Sequence, residues 1–325
     1  MLISAGESLV DLIQVDPRNP EAMLFQGIPG GSPYNCAIAM ARLGGEVGFL
    51  CPFSSDIFGH RILKRLIDVG VTPLVSERVS APTALAVVSM DHNGEPNYGF
   101  YRDNTADKQV ETLTLLENIP EVITAFHFGS LTLSNPTEAS VWLGLVLALK
   151  QHDTFITLDP NVRTSLIDDL DVYRDTLSTA LSLCDVLKLS EADLNELCPG
   201  ADPLVELKRL QNEHHIPLTI LTRGQHGAVA RTLTGAIAQA PALALINGGD
   251  MVAAGDTFQG ATTFWLTERF EDPQVQVHGL TEGELVQMLL FANTAAGLNC
   301  QAVGCHPPTR LEVDEQLNTQ WWLNV

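Results

Sequence analysis

The chain has 325 residues, of which 45% are hydrophobic, and a formal net charge of −21; this apolar content supports a large core and excludes a disordered chain. Because so negative a surface repels phosphate backbones, nucleic acid is excluded as a partner. No apolar run reaches the ~20 residues that a membrane span needs, and the N-terminal residues carry no basic segment typical of a signal peptide, so we expect a cytoplasmic protein without a membrane partner.

Strand-like apolar runs alternate with helical patterns along most of the chain. LISAG opens the chain, VGFLC (47–51) follows a helix, and AFHFGS, FITLDP, VLKLS and LTILTRG come later. This alternation predicts an α/β protein with a mostly parallel sheet and helices on both faces.

Short polar residues mark the predicted helix starts. Ser32 before Pro33 predicts one helix, with the serine as N-cap, and Asn135 before Pro136 predicts another. Ser190 and Asp193 have the spacing of a capping box.

One region breaks the alternation. Residues 83–90 (TALAVVSM) and 97–103 (NYGFYRD) are strand-like, and DHNGEP, which contains a turn signal, joins them. Residues 9–28 supply a candidate strand for the same layer. We predict a β-flap that covers a pocket, formed by about 9–30 and 81–108; an antiparallel extension of the main sheet is the alternative.

The segment 247–261 is the most informative part of the sequence. Small residues at 253–255 precede a helical pattern with Phe258, Ala261 and Trp265 on one face. Small residues let backbone N–H groups approach a ligand, and a helix N-terminus adds partial positive charge, so an anion hole is predicted here. From spacing alone, Asp256 is either a helix cap or a base beside that hole.

The heptapeptide 250–256, Asp-Met-Val-Ala-Ala-Gly-Asp, resembles the second signature of the PfkB, or ribokinase-like, carbohydrate kinases, Asp-Thr-x-Gly-Ala-Gly-Asp. The resemblance implies that Asp256 is the catalytic base and that the anion hole is formed by Ala253, Ala254 and Gly255. Met251 and Ala253 depart from the pattern. Since alanine resists positive φ, we expect a strained or reshaped hole if Ala253 needs that conformation, with activity retained.

The resemblance covers the whole chain. Gly6-Glu7 followed by Asp11 is similar to the family's N-terminal strand, whose aspartate binds sugar hydroxyls, and Gly30-Gly31-Ser32-Pro33-Tyr34-Asn35 resembles its first signature. The two glycines let the chain pass close to a polyol, and Asn35 can donate and accept; alone, a glycine pair also fits a plain turn. The implied fold is a single ribokinase-like domain, 1–325, a three-layer αβα sandwich with a small β-sheet lid.

Three later motifs follow predicted strands, where ligands of open α/β sheets bind. Asp159, Asn161 and Arg163 resemble the family's Asp-Pro-Asn-x-Arg and are predicted to bind substrate, with a capped loop as the alternative. Lys188, Ser190 and Asp193 resemble its Asn-x-x-Glu region, which implies nucleotide binding and, for Asp193, a metal contact through water; the capping box is the alternative. Thr222 and Gly224 resemble the nucleotide-side Thr-x-Gly, and Asn293 falls at the adenine pocket or on a buried helix face.

The motif wording is most similar to fructokinases, which implies phosphorylation of the primary hydroxyl of D-fructose with ATP and Mg²⁺, and with K⁺ in some relatives. Tyr101 and Arg102 on the flap are expected to reach the sugar, although Arg102 also fits a surface cation. Kinases of 2-keto-3-deoxygluconate, ribose or nucleosides, and a non-catalytic sugar-binding homologue, remain alternatives. The glycine motifs of NAD-dependent Rossmann enzymes and of P-loop kinases are absent from the sequence. Exposed flap edges also suggest a homodimer.

Overall fold

The computed structural model of the protein describes residues 1–15, 23–90, 96–244 and 249–320. Residues 91–95 of the predicted flap turn lie outside these ranges, as do Asn247 and Gly248 at the start of the small-residue segment. Within them, none of the helices combines the length and apolar character that a bilayer crossing requires.

The strands, in chain order, are β1 (Leu2–Ala5), β2 (Leu9–Gln14), β3 (Phe25–Gly30), β4 (Val47–Leu50), β5 (Phe53–Ser54), β6 (Thr72–Pro73), β7 (Arg78–Val79), β8 (Ala84–Met90), β9 (Pro96–Tyr101), β10 (Ala125–Gly129), β11 (Phe155–Asp159), β12 (Val186–Ser190), β13 (Leu218–Thr222), β14 (Ala228–Thr232) and β15 (Ile237–Ala240).

The α-helices are α1 (Ser32–Arg42), α2 (Ile57–Asp68), α3 (Thr112–Glu117), α4 (Pro136–Lys150), α5 (Leu170–Leu181), α6 (Glu191–Leu197), α7 (Pro203–His214), α8 (Ala254–Arg269), α9 (Pro273–Gln276), α10 (Glu282–Asn299) and α11 (Arg310–Gln320).

The main sheet has nine strands in the order β15-β14-β13-β12-β11-β10-β1-β4-β6. From β13 to β6 every neighbouring pair is parallel, whereas β14 and β15 are antiparallel additions at one edge. The parallel strands therefore end at one common edge, where β1, β10, β11, β12 and β13 each lead into a loop or helix.

Apolar side chains alternate between the two faces of the main sheet. Leu2 of β1 and Ile220 of β13 belong to the core beneath α1, α8 and α10, whereas their neighbours Ile3 and Leu221 belong to the core beneath α4, α5 and α7. Successive strand residues point to opposite faces, and parallel sheets need cover on both. This arrangement confirms the predicted ribokinase-like αβα sandwich.

A separate four-stranded sheet has the order β3-β2-β8-β9, and β5 pairs only with β7 in a two-stranded sheet. Within the four-stranded sheet β8 and β9 pair antiparallel, as the hairpin prediction required, while β2 and β8 pair parallel. The hairpin is thus part of a small separate sheet and not an extension of the main one.

One predicted helix start is wrong by one residue. Helix α1 has Gly31 at its N-cap, so Ser32 is its first helical residue and its hydroxyl makes no cap hydrogen bond. Asn135 caps α4 through the N–H groups of Thr137 and Glu138, as predicted. Ser190 and Asp193 form the predicted capping box at the start of α6.

Candidate active site

A cleft of about 1290 Å³ opens where the parallel strands end. Strand β11 ends at Asp159, β12 at Ser190 and β13 at Thr222, so polar groups collect at this edge. The structure brings together on the cleft wall these residues predicted from the sequence: Asn161, Arg163, Lys188, Ser190, Asp193, Thr222, Gly224, Ala254, Gly255 and Asn293.

Asp256 follows Gly255 in the first turn of α8, and its side chain is partly exposed. Its Oδ1 accepts a hydrogen bond from the Ser32 hydroxyl at 2.7 Å, and its Oδ2 accepts one from the Asn35 side-chain amide at 2.8 Å. Among the described residues, no side chain caps α8. The carboxylate of Asp256 is therefore tied to α1 across the site, which favours the base over the cap of the two sequence-based interpretations.

Opposing effects act on the proton affinity of Asp256. Burial raises the pKa of this carboxyl, and the hydrogen bonds from Asn35 and Ser32, with the charges of Lys188 and Arg163, offset that rise only in part. A carboxylate with a raised pKa is a stronger proton acceptor than one free in water, which suits a general base.

The turn before α8 is built on a left-handed alanine. Ala253 has φ 60° and ψ 13°, the conformation that the sequence analysis identified as strained for a residue with a Cβ. The Ala254 N–H closes the turn on the Met251 carbonyl at 3.2 Å. Because the first N–H groups of a helix lack intrahelical acceptors, the first-turn donors left for an anion are those of Gly255 and Asp256. The assignment of the hole to Ala253, Ala254 and Gly255 stays a prediction, with the Ala254 N–H already engaged by the Met251 carbonyl.

A buried ion pair lies beside this helix start. Lys188 Nζ is 2.7 Å from Asp159 Oδ2, and both side chains are almost fully buried. Burial lowers the pKa of Lys188, but the carboxylates of Asp159 and Asp193 outweigh it and hold the pKa above its usual value. A Cβ added at Gly255 would be 3.2 Å from the ammonium. Glycine therefore lets the lysine charge lie directly against the anion hole.

The predicted sugar side consists of Asp11 on β2 and the glycine pair that ends β3. A Cβ on Gly30 would lie 2.2 Å from Asp11 Oδ2, so only glycine leaves room for this carboxylate. Gly31 has φ 111°, and its added Cβ would be 2.7 Å from the Glu7 carbonyl. The glycines are thus needed to pack β3 against Asp11 and Glu7, a stricter reason than the close approach to a ligand that the sequence suggested.

Asp11 and Asp256 belong to one electrostatic group. Burial and the charge of Asp256 raise the pKa of Asp11 to about 7, and Arg163 opposes the rise. Burial likewise raises the pKa of Asp159 to about 6 despite Lys188. Three carboxyl groups with raised pKa values therefore surround the place where the sugar and the phosphate are expected to meet, a pattern typical of active sites.

The flap residues Tyr101 and Arg102 differ from each other. Tyr101 is exposed, as a lid residue would be. Arg102 is buried; it pairs with Asp107 at 2.6 Å and with Glu138, and it donates to the Leu131 carbonyl. The expectation that Arg102 reaches the sugar is corrected, because two carboxylates already hold its guanidinium. Its charge instead ties the end of β9 to the start of α4.

Asp193 accepts three hydrogen bonds from protein donors. Its Oδ1 accepts from the Val162 N–H, and its Oδ2 accepts from the N–H and hydroxyl of Ser190. The described residues contain no cluster of three His, Cys, Asp or Glu side chains that could hold a metal ion. Asp193 thus has the capping role that the sequence left as the alternative, and its contact to a metal through water stays a prediction; Glu191 and Glu196 are the other carboxylates on the cleft wall.

The rest of the cleft has a less polar lining. Asn293 of α10 is buried on its wall and donates to the Ala240 carbonyl at 3.1 Å, so it also joins α10 to β15. The same space is also lined by Arg223, the apolar stretch 242–244 and Gly297, for which the sequence suggested no role. The only sequence feature that could have pointed to these residues is their closeness along the chain to a strand end or to Asn293. A flat apolar wall with a polar rim is suited to a nucleotide base.

The comparisons with known proteins agree over most of the chain. The family model of the pfkB family carbohydrate kinases matches residues 1–311. A fructokinase from Klebsiella pneumoniae is 31% identical over 307 residues, covering 92% of each chain.

Solved structures give the same result. The crystal structure of a fructokinase from Xylella fastidiosa with bound ATP has a TM-score of 0.87 and 27% identity, covering 98% of each chain. A double mutant of a fructokinase from Vibrio cholerae O395, in a form bound to fructose, ADP and potassium ion, has a TM-score of 0.80 and 25% identity, covering 97% of each chain.

Proposed function

The chain belongs to the pfkB family of carbohydrate kinases, and we propose that it transfers the γ-phosphoryl group of ATP to the primary hydroxyl of D-fructose, giving fructose 6-phosphate and ADP. Its membership confirms the resemblance predicted from the two signature motifs. The protein is therefore a phosphotransferase with an alcohol acceptor. Similarity to fructokinases over nearly the whole chain supports fructose among the sugars of the family.

The observation that carries the proposal is the position of Asp256. Its carboxylate is held by Ser32 and Asn35 of α1, and it follows the N–H donor of Gly255 in the chain. A base is thus fixed within one residue of an anion hole. This is the arrangement needed when an alcohol oxygen attacks a phosphoryl group.

The reaction follows from these groups. Asp256 accepts the proton of the sugar's primary hydroxyl as its oxygen forms a bond to the γ-phosphorus. The bond from that phosphorus to the bridging oxygen of the β-phosphate breaks, and ADP leaves with the electron pair. The N–H groups of Gly255 and Asp256, with the ammonium of Lys188, stabilise the charge that spreads over the transferring group.

Sugar recognition is assigned to the groups of α1, β2 and β11. Asp11 and Asn35 are proposed to bind sugar hydroxyls, because the Asn35 amide oxygen is buried and has no hydrogen-bond partner within the described residues. Arg163, which lines the cleft and acts on both Asp11 and Asp256 through its charge, is proposed to bind the phosphate or the sugar. The small sheet then closes over the sugar and excludes water, which limits ATP hydrolysis.

We propose that Mg²⁺ enters with ATP. Mg²⁺ keeps several waters and needs only one or two carboxylates beside the substrate phosphates. Glu191 and Glu196 on the cleft wall supply hard oxygen groups of that kind and would hold the ion through water. When bound, Mg²⁺ neutralises charge on the β- and γ-phosphates. The potassium-bound Vibrio cholerae structure supports a test of K⁺ as activator.

Two further features are proposals of the same kind. The unpaired edges of β3 and β9 in the small sheet support a homodimer formed through the lid. A cytoplasmic location is proposed because the reaction consumes ATP.

A panel of sugars in a coupled ADP-release assay tests the proposed function. We expect the highest kcat/KM with D-fructose, and values at least ~10-fold lower with ribose, 2-keto-3-deoxygluconate and nucleosides, because a buried polar site discriminates strongly against a mismatched hydroxyl pattern. A higher kcat/KM for another member of the panel would replace fructose. Absence of ADP release with every sugar would favour a sugar-binding homologue.

A further inference from the structure

The hydroxyl of Ser32 has a contact that the sequence did not predict. It was expected to cap α1, but it lies on the first helical residue and donates to Asp256 Oδ1 at 2.7 Å. Ser32 is buried, with 8% of its surface exposed. A hydroxyl donor on a carboxylate is a strong, charge-assisted hydrogen bond. We propose that Ser32 is a positioning residue that fixes the catalytic base and favours its ionised form; this inference rests on the proposed function.

The two donors of α1 act on different oxygens of the base. Asn35 donates to Oδ2 and Ser32 to Oδ1, so together they fix the plane of the Asp256 carboxyl group. Each oxygen still has a lone pair with which to accept the sugar proton. Without the Ser32 hydroxyl, Oδ1 has lost its donor and the carboxyl group can rotate away from the sugar oxygen.

The backbone of Ser32 is held in place by Glu7 and by the turn at Gly31. Its N–H donates to Glu7 Oε1 at 3.3 Å, and Glu7 is buried two residues after the end of β1. Gly31 has a φ of 111°, and a Cβ there would lie 2.7 Å from the Glu7 carbonyl oxygen, so this position requires glycine. The side chain of Glu7 and the preceding turn therefore set where the Ser32 hydroxyl points. This support distinguishes it from a serine that hydrogen-bonds by chance.

Other charged groups face the base from the surrounding elements. Asn35 and Ser32 lie on α1, and the titratable or charged groups that act on Asp256 are Asp11, Cys36, Asp159, Arg163, Lys188 and Cys305. Both cysteine thiols stay neutral because burial raises their pKa. Removing the Ser32 hydroxyl leaves all of these groups in place. The resulting change in pH dependence therefore reports the hydroxyl itself.

The test compares Ser32→Ala with Ser4→Ala. Ser4 is a matched control, because its buried hydroxyl donates to the Pro33 carbonyl at 2.7 Å and so supports the same helix start without contacting Asp256. For Ser32→Ala we expect kcat with fructose to fall about tenfold, KM to change less than about threefold, and the acidic limb of the kcat–pH profile to move about one unit higher. Ser4→Ala should keep the wild-type profile.

A second readout does not depend on turnover. In protein labelled with ¹³C at aspartate carboxyl groups, the Asp256 signal is assigned by its loss in Asp256→Asn, and its titration midpoint is compared between wild type and Ser32→Ala. A higher midpoint in Ser32→Ala supports the proposal even if fructose proves to be the wrong sugar. Equal midpoints, or an equal shift in Ser4→Ala, would overturn it.

Discussion

At the scale of single residues, the catalytic assignment depends on the charge of Asp256. Asp256→Asn keeps the shape of the side chain but cannot accept the hydroxyl proton. We expect kcat to fall by at least ~10². Fructose binding, measured by calorimetry, should stay within about threefold of wild type. Turnover close to wild type in this variant would contradict the assignment of Asp256 as base.

At Ala253 we expect a substitution that stabilises the protein. Its φ of 60° disfavours any residue with a Cβ, so Ala253→Gly should raise the free energy of unfolding by roughly 0.5–1 kcal/mol, the relieved strain less the larger entropy of the unfolded glycine. Urea unfolding measures the change, and kcat should stay within about twofold.

The neighbouring Ala254→Gly serves as the control for Ala253. Ala254 is the first residue of α8, so glycine there gains no relief of strain and should lower the free energy of unfolding by up to ~1 kcal/mol. Destabilisation of the same size in both variants would show that the left-handed turn is not strained.

The sequence pointed to Asp256 and to the motif residues of the cleft wall because each motif is contiguous in the chain. It failed where a contact joins distant segments. The bond from Ser32 to Asp256 depends on a one-residue shift of the α1 start. The burial of Arg102 depends on Glu138, which is 36 residues further along the chain. A local sequence pattern reveals neither of these contacts.

At the scale of elements, the packing of β3 against β2 sets the position of Asp11 in the proposed sugar site. Gly30→Ala would place a methyl group where Asp11 Oδ2 lies, 2.2 Å from the new Cβ. The carboxylate must turn aside, so we expect KM for fructose to rise at least ~10-fold, with a smaller effect on kcat. Steady-state kinetics over a range of fructose concentrations measures both.

Gly27→Ala on the same strand is the matched control for Gly30. Its added Cβ would make only ordinary contacts, 3.4 Å from Val10 and 3.5 Å from Leu12. KM should therefore stay within about twofold of wild type. An equal rise in KM for both variants would show that β3 tolerates no side chain at all, and would remove the special link between Gly30 and Asp11.

The elements themselves were predictable to different degrees. Strands β1, β4 and β10 to β13 follow from apolar runs between helical patterns, since both faces of a parallel sheet are buried. The edge pair β14 and β15 was not predicted, because its residues alternate between buried and exposed in β15 and form no continuous apolar run. Strands β5 and β7 are each two residues long, which is too short for a periodic pattern to predict them.

At the scale of the whole molecule, buried carboxyl groups govern stability against pH. Burial raises the pKa of Glu7 to about 8 and that of Asp11 to about 7. Both groups bind more protons when folded, so their stabilisation is present at low pH and is lost as the pH rises through these values. We expect the free energy of unfolding to fall by about 1–2 kcal/mol from pH 6.5 to 8.

Urea unfolding across this pH window measures the loss, and Glu7→Gln isolates one contributor. Glutamine cannot titrate, so the variant should show a shallower decline than wild type between pH 7 and 8. Most of the effect of His127 lies below this window, because burial lowers the pKa of this histidine to about 3 and an unfolded histidine is half protonated near pH 6.5 and almost neutral by about pH 7.5. A rise in stability over the same window would contradict the burial of these acids.

Ser32 and Asn35 precede the Asp256 that they hold by 224 and 221 residues. During synthesis the sugar-side groups emerge from the ribosome long before the base does. A nascent chain is therefore unable to consume ATP until most of its length has been translated. For the same reason, two fragments cut between these segments would each be inert and would regain turnover only when they reassemble, which makes the fold a candidate for a split reporter.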